Sequence, residues 1–141
     1  MSRITVIVAV ALTAVAVAVM SRAPLPATAK PKTLKFTSHT LSEKGLSRSS
    51  FVSYSVDKAG GKVIGYDVLS GSFDRKRNTG HFDVAVALDG GFLYATFDVE
   101  GDATDIQGKL TGGSGDYEDV SGTVDVVDAD QKTATITVHF E

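Results

Sequence analysis

From residue 33 onward, apolar and polar positions alternate with a period of two, the repeat of an extended strand with one face turned inward. In TLKFTSHTL, Leu34 and Phe36 alternate with Lys35 and Thr37, which predicts a half-buried first strand followed by a polar linker, SEKGLSRSS (Ser42 to Ser50). Phe51 to Val56 alternates weakly, and Asp57-Lys58-Ala59-Gly60-Gly61 reads as the turn that ends it. The run Val63 to Phe73 is longer than a usual strand and contains Gly65 and Gly71, positions of close packing or of a bulge. His81 to Leu88 alternates most cleanly, with Phe82, Val84, Val86 and Leu88 on one face and Asp83, Ala85 and Ala87 on the other. Asp89-Gly90-Gly91 then turns the chain into FLYATFDVE, a hairpin. Asp105 to Leu110 predicts a short strand, and Gly112 to Gly122 a glycine-rich connection. Thr123 to Val127 and Thr133 to Phe140 complete the set, with Ala134, Ile136, Val138 and Phe140 opposite Thr133, Thr135, Thr137 and His139.

The fold class is therefore all-β: seven or eight strands joined by short turns, which form either a sandwich or an up-and-down barrel. Closure into a barrel would remove the exposed edges that an open sheet leaves.

The first 29 residues differ in kind. Arg3 precedes an uncharged apolar run, Ile4 to Met20; Pro24 and Pro26 follow, and Ala27-Thr28-Ala29 supplies the small residues of a signal-peptidase site. This predicts a secretion signal helix over 1–29, cut after about Ala29, and an exported barrel domain over 30–141, secreted or held in the cell envelope. Uncleaved, the same run would be a membrane anchor at the short end of spanning length.

Charge and cysteine content narrow the function classes. The chain holds 14 Lys and Arg against 17 Asp and Glu; Arg3 and Arg22 lie in the leader, so the remainder carries 12 against 17, a net charge of about −5. An acidic surface repels nucleic acid and anionic lipid, and Arg75-Lys76-Arg77 reads as a solvated loop tip. The absence of cysteine excludes disulfide staples, thiol catalysis and Cys-ligated zinc.

The segment Gly112-Gly113-Ser114-Gly115-Asp116-Tyr117, followed by Val120-Ser121-Gly122-Thr123-Val124, resembles the G-G-[TS]-G-x-[YF]-x-x-[AV]-x-G segment of allene oxide cyclase and dirigent-type barrels, in particular their small secreted bacterial members. VIGYDVLSGSF and FDVAVALDGGFLYATF precede it in the order such a barrel requires. The resemblance implies an eight-stranded antiparallel, calycin-like barrel with a central cavity. It also implies confinement of a hydrophobic substrate without a cofactor, and self-association into a homo-oligomer. Gly112, Gly113, Gly115, Tyr117 and Gly122 are on this reading a fold signature outside the cavity, and no catalytic residue carries over. The segment is neither a phosphate loop nor a nucleophile elbow, because it lacks both glycine spacings and Asp116 stands where the elbow needs glycine.

Polar residues that interrupt apolar strands are the candidates for ligand contact in a lumen: Tyr66, Asp67, Asp83, Tyr94 and Asp98. A buried carboxylate could orient water or an electrophile, and a tyrosine hydroxyl could stabilise an oxyanion. Against this, alternation places polar residues outside by default, and Asp83 lies opposite the apolar face of its own strand. His39, His81 and His139 have no metal-site spacing. Asp98, Glu100, Asp102 and Asp105 are spaced like a calcium loop, but Ala103 and Lys109 stand where its glycine and bidentate glutamate belong. Three functions remain: a barrel that binds or orients a small hydrophobic molecule, a cofactor-free cyclase or isomerase acting by confinement, and an envelope barrel without ligand. They separate on whether the lumen is open or packed solid.

Overall fold

The computed structural model describes residues 32–141, so the leader and its cleavage site lie outside the described residues. Eight strands follow in chain order: β1 (Thr33–Gly45), β2 (Ser50–Ala59), β3 (Lys62–Asp74), β4 (Thr79–Leu88), β5 (Gly91–Glu100), β6 (Asp105–Gly115), β7 (Gly122–Asp130) and β8 (Thr133–Phe140). Each pairs antiparallel with the next, and β8 pairs with β1, which closes the barrel with Phe36 opposite Ile136. The alternatives of a sandwich and of seven strands are thereby removed. Every strand has two hydrogen-bonded neighbours, so no edge remains.

Turn chemistry sets the hairpins. Gly60 and Gly61 have φ of 56° and 79°, the positive pair of a two-residue hairpin turn, and they alone separate β2 from β3. Asp57, Lys58 and Ala59, expected to belong to that turn, are ladder residues. Two further expectations are corrected in the same way. Ser42 to Gly45, expected in a linker, extend β1 and pair with Tyr54 to Phe51. Gly112 to Gly115, expected in a connection, extend β6 and pair with Tyr94 to Gly91. Glycine and serine are weak strand formers, but the ladder on either side supplies the hydrogen bonds that their side chains do not specify.

Bulges adjust the curvature. The register of β1 on β2 jumps between Thr40 and Ser42, leaving Leu41 as the extra, exposed residue. On β3 the pairing jumps from Gly65 to Val63, beside Asp57. Each such insertion raises local twist, which a closing sheet requires.

Two ends of the barrel are distinct. At one lie the β1–β2 linker, the Arg75-Lys76-Arg77 turn, the β5–β6 loop and the β7–β8 turn; at the other lie the Gly60-Gly61 and Asp89-Gly90 turns and the β6–β7 loop. The second end is filled. Leu34, Ile64, Leu88, Tyr117, Val120 and Phe140 pack against the buried core, and the rings of Tyr117 and Phe140 stack at 6.4 Å. The glycine signature belongs to this end: a side chain on Gly113 would strike the backbone and Cβ of Tyr117, and Gly115 has φ of 63°. Its work is to let Tyr117 fold back over the barrel base.

Candidate functional site: the barrel lumen

The lumen is open at the other end. A cavity of about 280 Å³ reaches from Leu93 and Val138 up to Asp130, Gln131, Lys132 and Thr133 at the β7–β8 turn. Its size lies at the lower edge of the roughly 300–1,000 Å³ of small-molecule sites.

Its wall has two unlike halves. From β4 round to β8 the inward positions are apolar, including Phe82, Val86, Phe97, Leu110, Val124 and Ile136. These follow the alternation directly, since Phe82, Val84, Val86 and Leu88 share one face of β4 and pair with Phe97, Ala95, Leu93 and Gly91. From β1 to β3 the wall is mixed: Phe36 and Leu69 line it together with the polar Ser38 and Thr40, Ser53 and Ser55, and Asp67, and Asp57 lies in the same inward row of β2. On β2 and β3 apolar side chains also occupy the opposite face. Val52, Tyr54 and Val56 of β2, and Tyr66 and Val68 of β3, alternate with the inward positions; Tyr54, Tyr66 and Val68 are exposed, whereas Val56 is buried.

Register assembles the polar half. Asp57 pairs with Ser38 on one side and Gly65 on the other, and Ser55 pairs with Thr40 and Asp67. Ser38 Oγ donates to Asp67 Oδ2 at 2.6 Å. Asp67 is 7% exposed and lines the cavity, whereas Asp57 is 0% exposed and lies toward the filled end. Neither oxygen of Asp57 has a donor, because the Ser38 hydroxyl is committed to Asp67.

Two adjoining carboxyls with so few donors cannot both ionise. Burial pushes the Asp57 carboxyl up to about 8, and the neighbouring Asp67 carboxylate acts in the same direction. Asp57 therefore keeps its proton at neutral pH and can donate it to Asp67, satisfying an atom that would otherwise be orphaned. The pair as a whole carries one negative charge.

Of the five residues expected to reach a ligand, the barrel brings only Asp67 to the lumen. Tyr66 and Tyr94 are 45% and 40% exposed on the outer wall, where Tyr66 stacks on Tyr54 at 5.9 Å and Tyr94 on Phe92 at 6.4 Å. Asp83 and Asp98 also face outward, flanking His81: Nδ1–H of His81 donates to Asp98 at 2.7 Å, and Nε2 lies 3.5 Å from Asp83. The placement of these four as lumen contacts is corrected, since each alternates with an inward neighbour: Gly65 or Asp67, Phe82 or Val84, Leu93 or Ala95, Phe97 or Val99. His139 pairs with Asp125 at 2.9 Å and His39 with Thr133 at 3.1 Å, so the three histidines occupy separate exposed sites.

Missing from the candidates were Ser38, Ser53, Ser55 and Asp57. A signal existed. Ser53, Ser55 and Asp57 form a period-two polar stripe against Val52, Tyr54 and Val56, but the rule that apolar residues point inward assigns that stripe to the solvent.

No protein-family model matches the chain, and no curated protein sequence matches it. Among solved structures it is similar to pyocyanin demethylase, with a TM-score of 0.68 and 16% sequence identity, over 77% of this chain and 99% of that one. At that identity the likeness is one of fold, and it agrees with the closed eight-stranded barrel traced by the strand pairing.

Proposed function

We propose that the protein is an exported barrel that binds or orients a small hydrophobic molecule in its lumen. The observation that carries this reading is the cavity of about 280 Å³ left open in the barrel core, apolar from β4 to β8 and mixed apolar and polar from β1 to β3. A barrel with only a structural role would gain from filling that space, because unfilled volume forfeits packing contacts. The apolar run Ile4 to Met20 and the Ala27-Thr28-Ala29 site support export, and the glycine segment supports kinship with allene oxide cyclase and dirigent-type barrels.

Turnover in the same lumen is the second reading, supported by one specific feature. Asp57 holds a proton at neutral pH beside a carboxylate, and such a pair can give a proton and take one back, as a cofactor-free cyclase or isomerase requires. The fold-level likeness to a protein named as a demethylase is compatible with it.

An NMR titration with 1-octanol separates binding from an inert barrel. The methyl signals of Val84, Val86, Val124 and Val138 should shift and saturate, and Ala134→Phe, which projects a ring into the cavity, should weaken binding at least tenfold. No saturable shift, or equal affinity in the filled variant, refutes lumen binding. For turnover, incubation with polyenes or epoxides should give a product absent from a boiled control.

A further inference from the structure

Resting on the lumen-binding reading, we infer that the natural ligand carries a positively charged, hydrogen-bond-donating head group, such as a protonated amine, seated against Asp67 with its apolar body on the β4–β8 wall.

The argument is one of charge and of hydrogen-bond inventory. Asp67 is 7% exposed, lines the cavity and accepts from Ser38 at 2.6 Å, so a carboxylate faces into a largely apolar space. Among the described residues, no Lys, Arg or His forms an ion pair with Asp57 or Asp67. The groups around the pair are Ser38 of β1, Ser55 of β2, Gly65 of β3, and Val86 and Leu88 of β4, none of which titrates. Lys132 also lines the cavity, but at its mouth on the β7–β8 turn, where it is exposed.

A buried charge without a partner is a strong destabilising element, and a ligand cation compensates it. The rest of the polar wall agrees. Thr40, Ser53 and Ser55 line the same side with hydroxyls, each able to accept from a donor, and an ammonium group offers three. An anionic head would meet Asp67 with like charge in a low-dielectric space, and a neutral molecule would leave that charge uncompensated. Asp57 gives the site its net charge of one rather than two. It sits behind Asp67, fully buried and without a donor, and holds the proton that prevents a second ionisation.

The test uses three probes of equal length, octylammonium, 1-octanol and octanoate, titrated into the protein at pH 7 and followed by NMR at the lumen valines. Octylammonium should bind at least tenfold more tightly than 1-octanol, and octanoate more weakly than either. In an Asp57→Asn/Asp67→Asn double variant the preference for octylammonium should vanish while 1-octanol still binds; in Asp57→Asn alone, which leaves Asp67 charged, it should persist. Circular dichroism melts establish that each variant is folded. Equal affinity for octylammonium and 1-octanol, or a preference that survives in the double variant, overturns the charge inference while lumen binding stands. Failure of all three probes overturns both.

Discussion

Replacing Asp57 by asparagine should stabilise the protein at neutral pH, although Asp57 is among its most completely buried side chains. An ionisable group held neutral inside the fold gives up the free energy it would gain by ionising in the unfolded chain. The folded value is about 8 and the unfolded one 3.8, so between these the folded state binds one more proton than the unfolded state. The contribution of Asp57 to stability therefore falls as pH rises across that interval, by about 1.4 kcal/mol per unit, and levels off above 8. From 3.8 to pH 7 the loss is about 4 kcal/mol, a ceiling reached only if an amide fits the site as well as the carboxyl. Asparagine has no proton to lose, and its amide can donate to Asp67 as the protonated carboxyl does. Urea unfolding of the two proteins at several values from pH 3.5 to 8.5 measures the effect. The variant should be matched or slightly surpassed by the parent at pH 3.5, overtake it near pH 5, and lead by a few kcal/mol at pH 8. A constant difference across the series, or a parent whose stability does not decline relative to the variant, would refute the shared-proton account of the Asp57–Asp67 pair.

Other outcomes follow from local geometry. A Cβ at Gly71 would lie 2.7 Å from ring atoms of both Phe51 and Phe82, so Gly71→Ala should destabilise by about 1–3 kcal/mol in urea unfolding. His81 should titrate above 6.5 by NMR, chiefly because Asp98 accepts its Nδ1–H, and Asp98→Asn should bring it back down. Because the folded value is raised, the stabilisation from His81 is present below 6.5 and lost as pH rises through the folded value. Asp125, lowered by hydrogen bonds from Gln107 and His139, has the opposite sign. Its contribution is present above 3.8 and disappears as pH falls through the folded value, which a Gln107→Ala variant should narrow.

Much of the architecture was legible in the chain. The alternation in His81 to Leu88 and Thr133 to Phe140 sorts the residues of β4 and β8 into an apolar and an opposite face, and the barrel turns the apolar face inward. Asp89-Gly90 closes the expected hairpin. Strand ends were less legible, because Ser42 to Gly45 and Gly112 to Gly115 have weak strand preference, and their neighbours across the ladder hold them extended.

By itself, the sequence determined that the chain is all-β, where most strands and hairpins fall, and that the apolar residues of β4 and β8 share one face, since these depend on periodicity and on turn residues close in sequence. Only the tertiary structure decided that β8 closes on β1, that Ser53, Ser55 and Asp57 of β2 and Asp67 of β3 face inward, and that Ser38, Asp57 and Asp67 meet. The reason is that side-chain direction in a sheet reverses with a slip of one residue, so the facing of Ser53, Ser55 and Asp57 is fixed by pairing with β1 and β3 and not by their own pattern. Ser38 and Asp67 lie 29 residues apart on strands that are not neighbours, and only register and closure bring a serine, a carboxyl and a carboxylate together inside an apolar barrel.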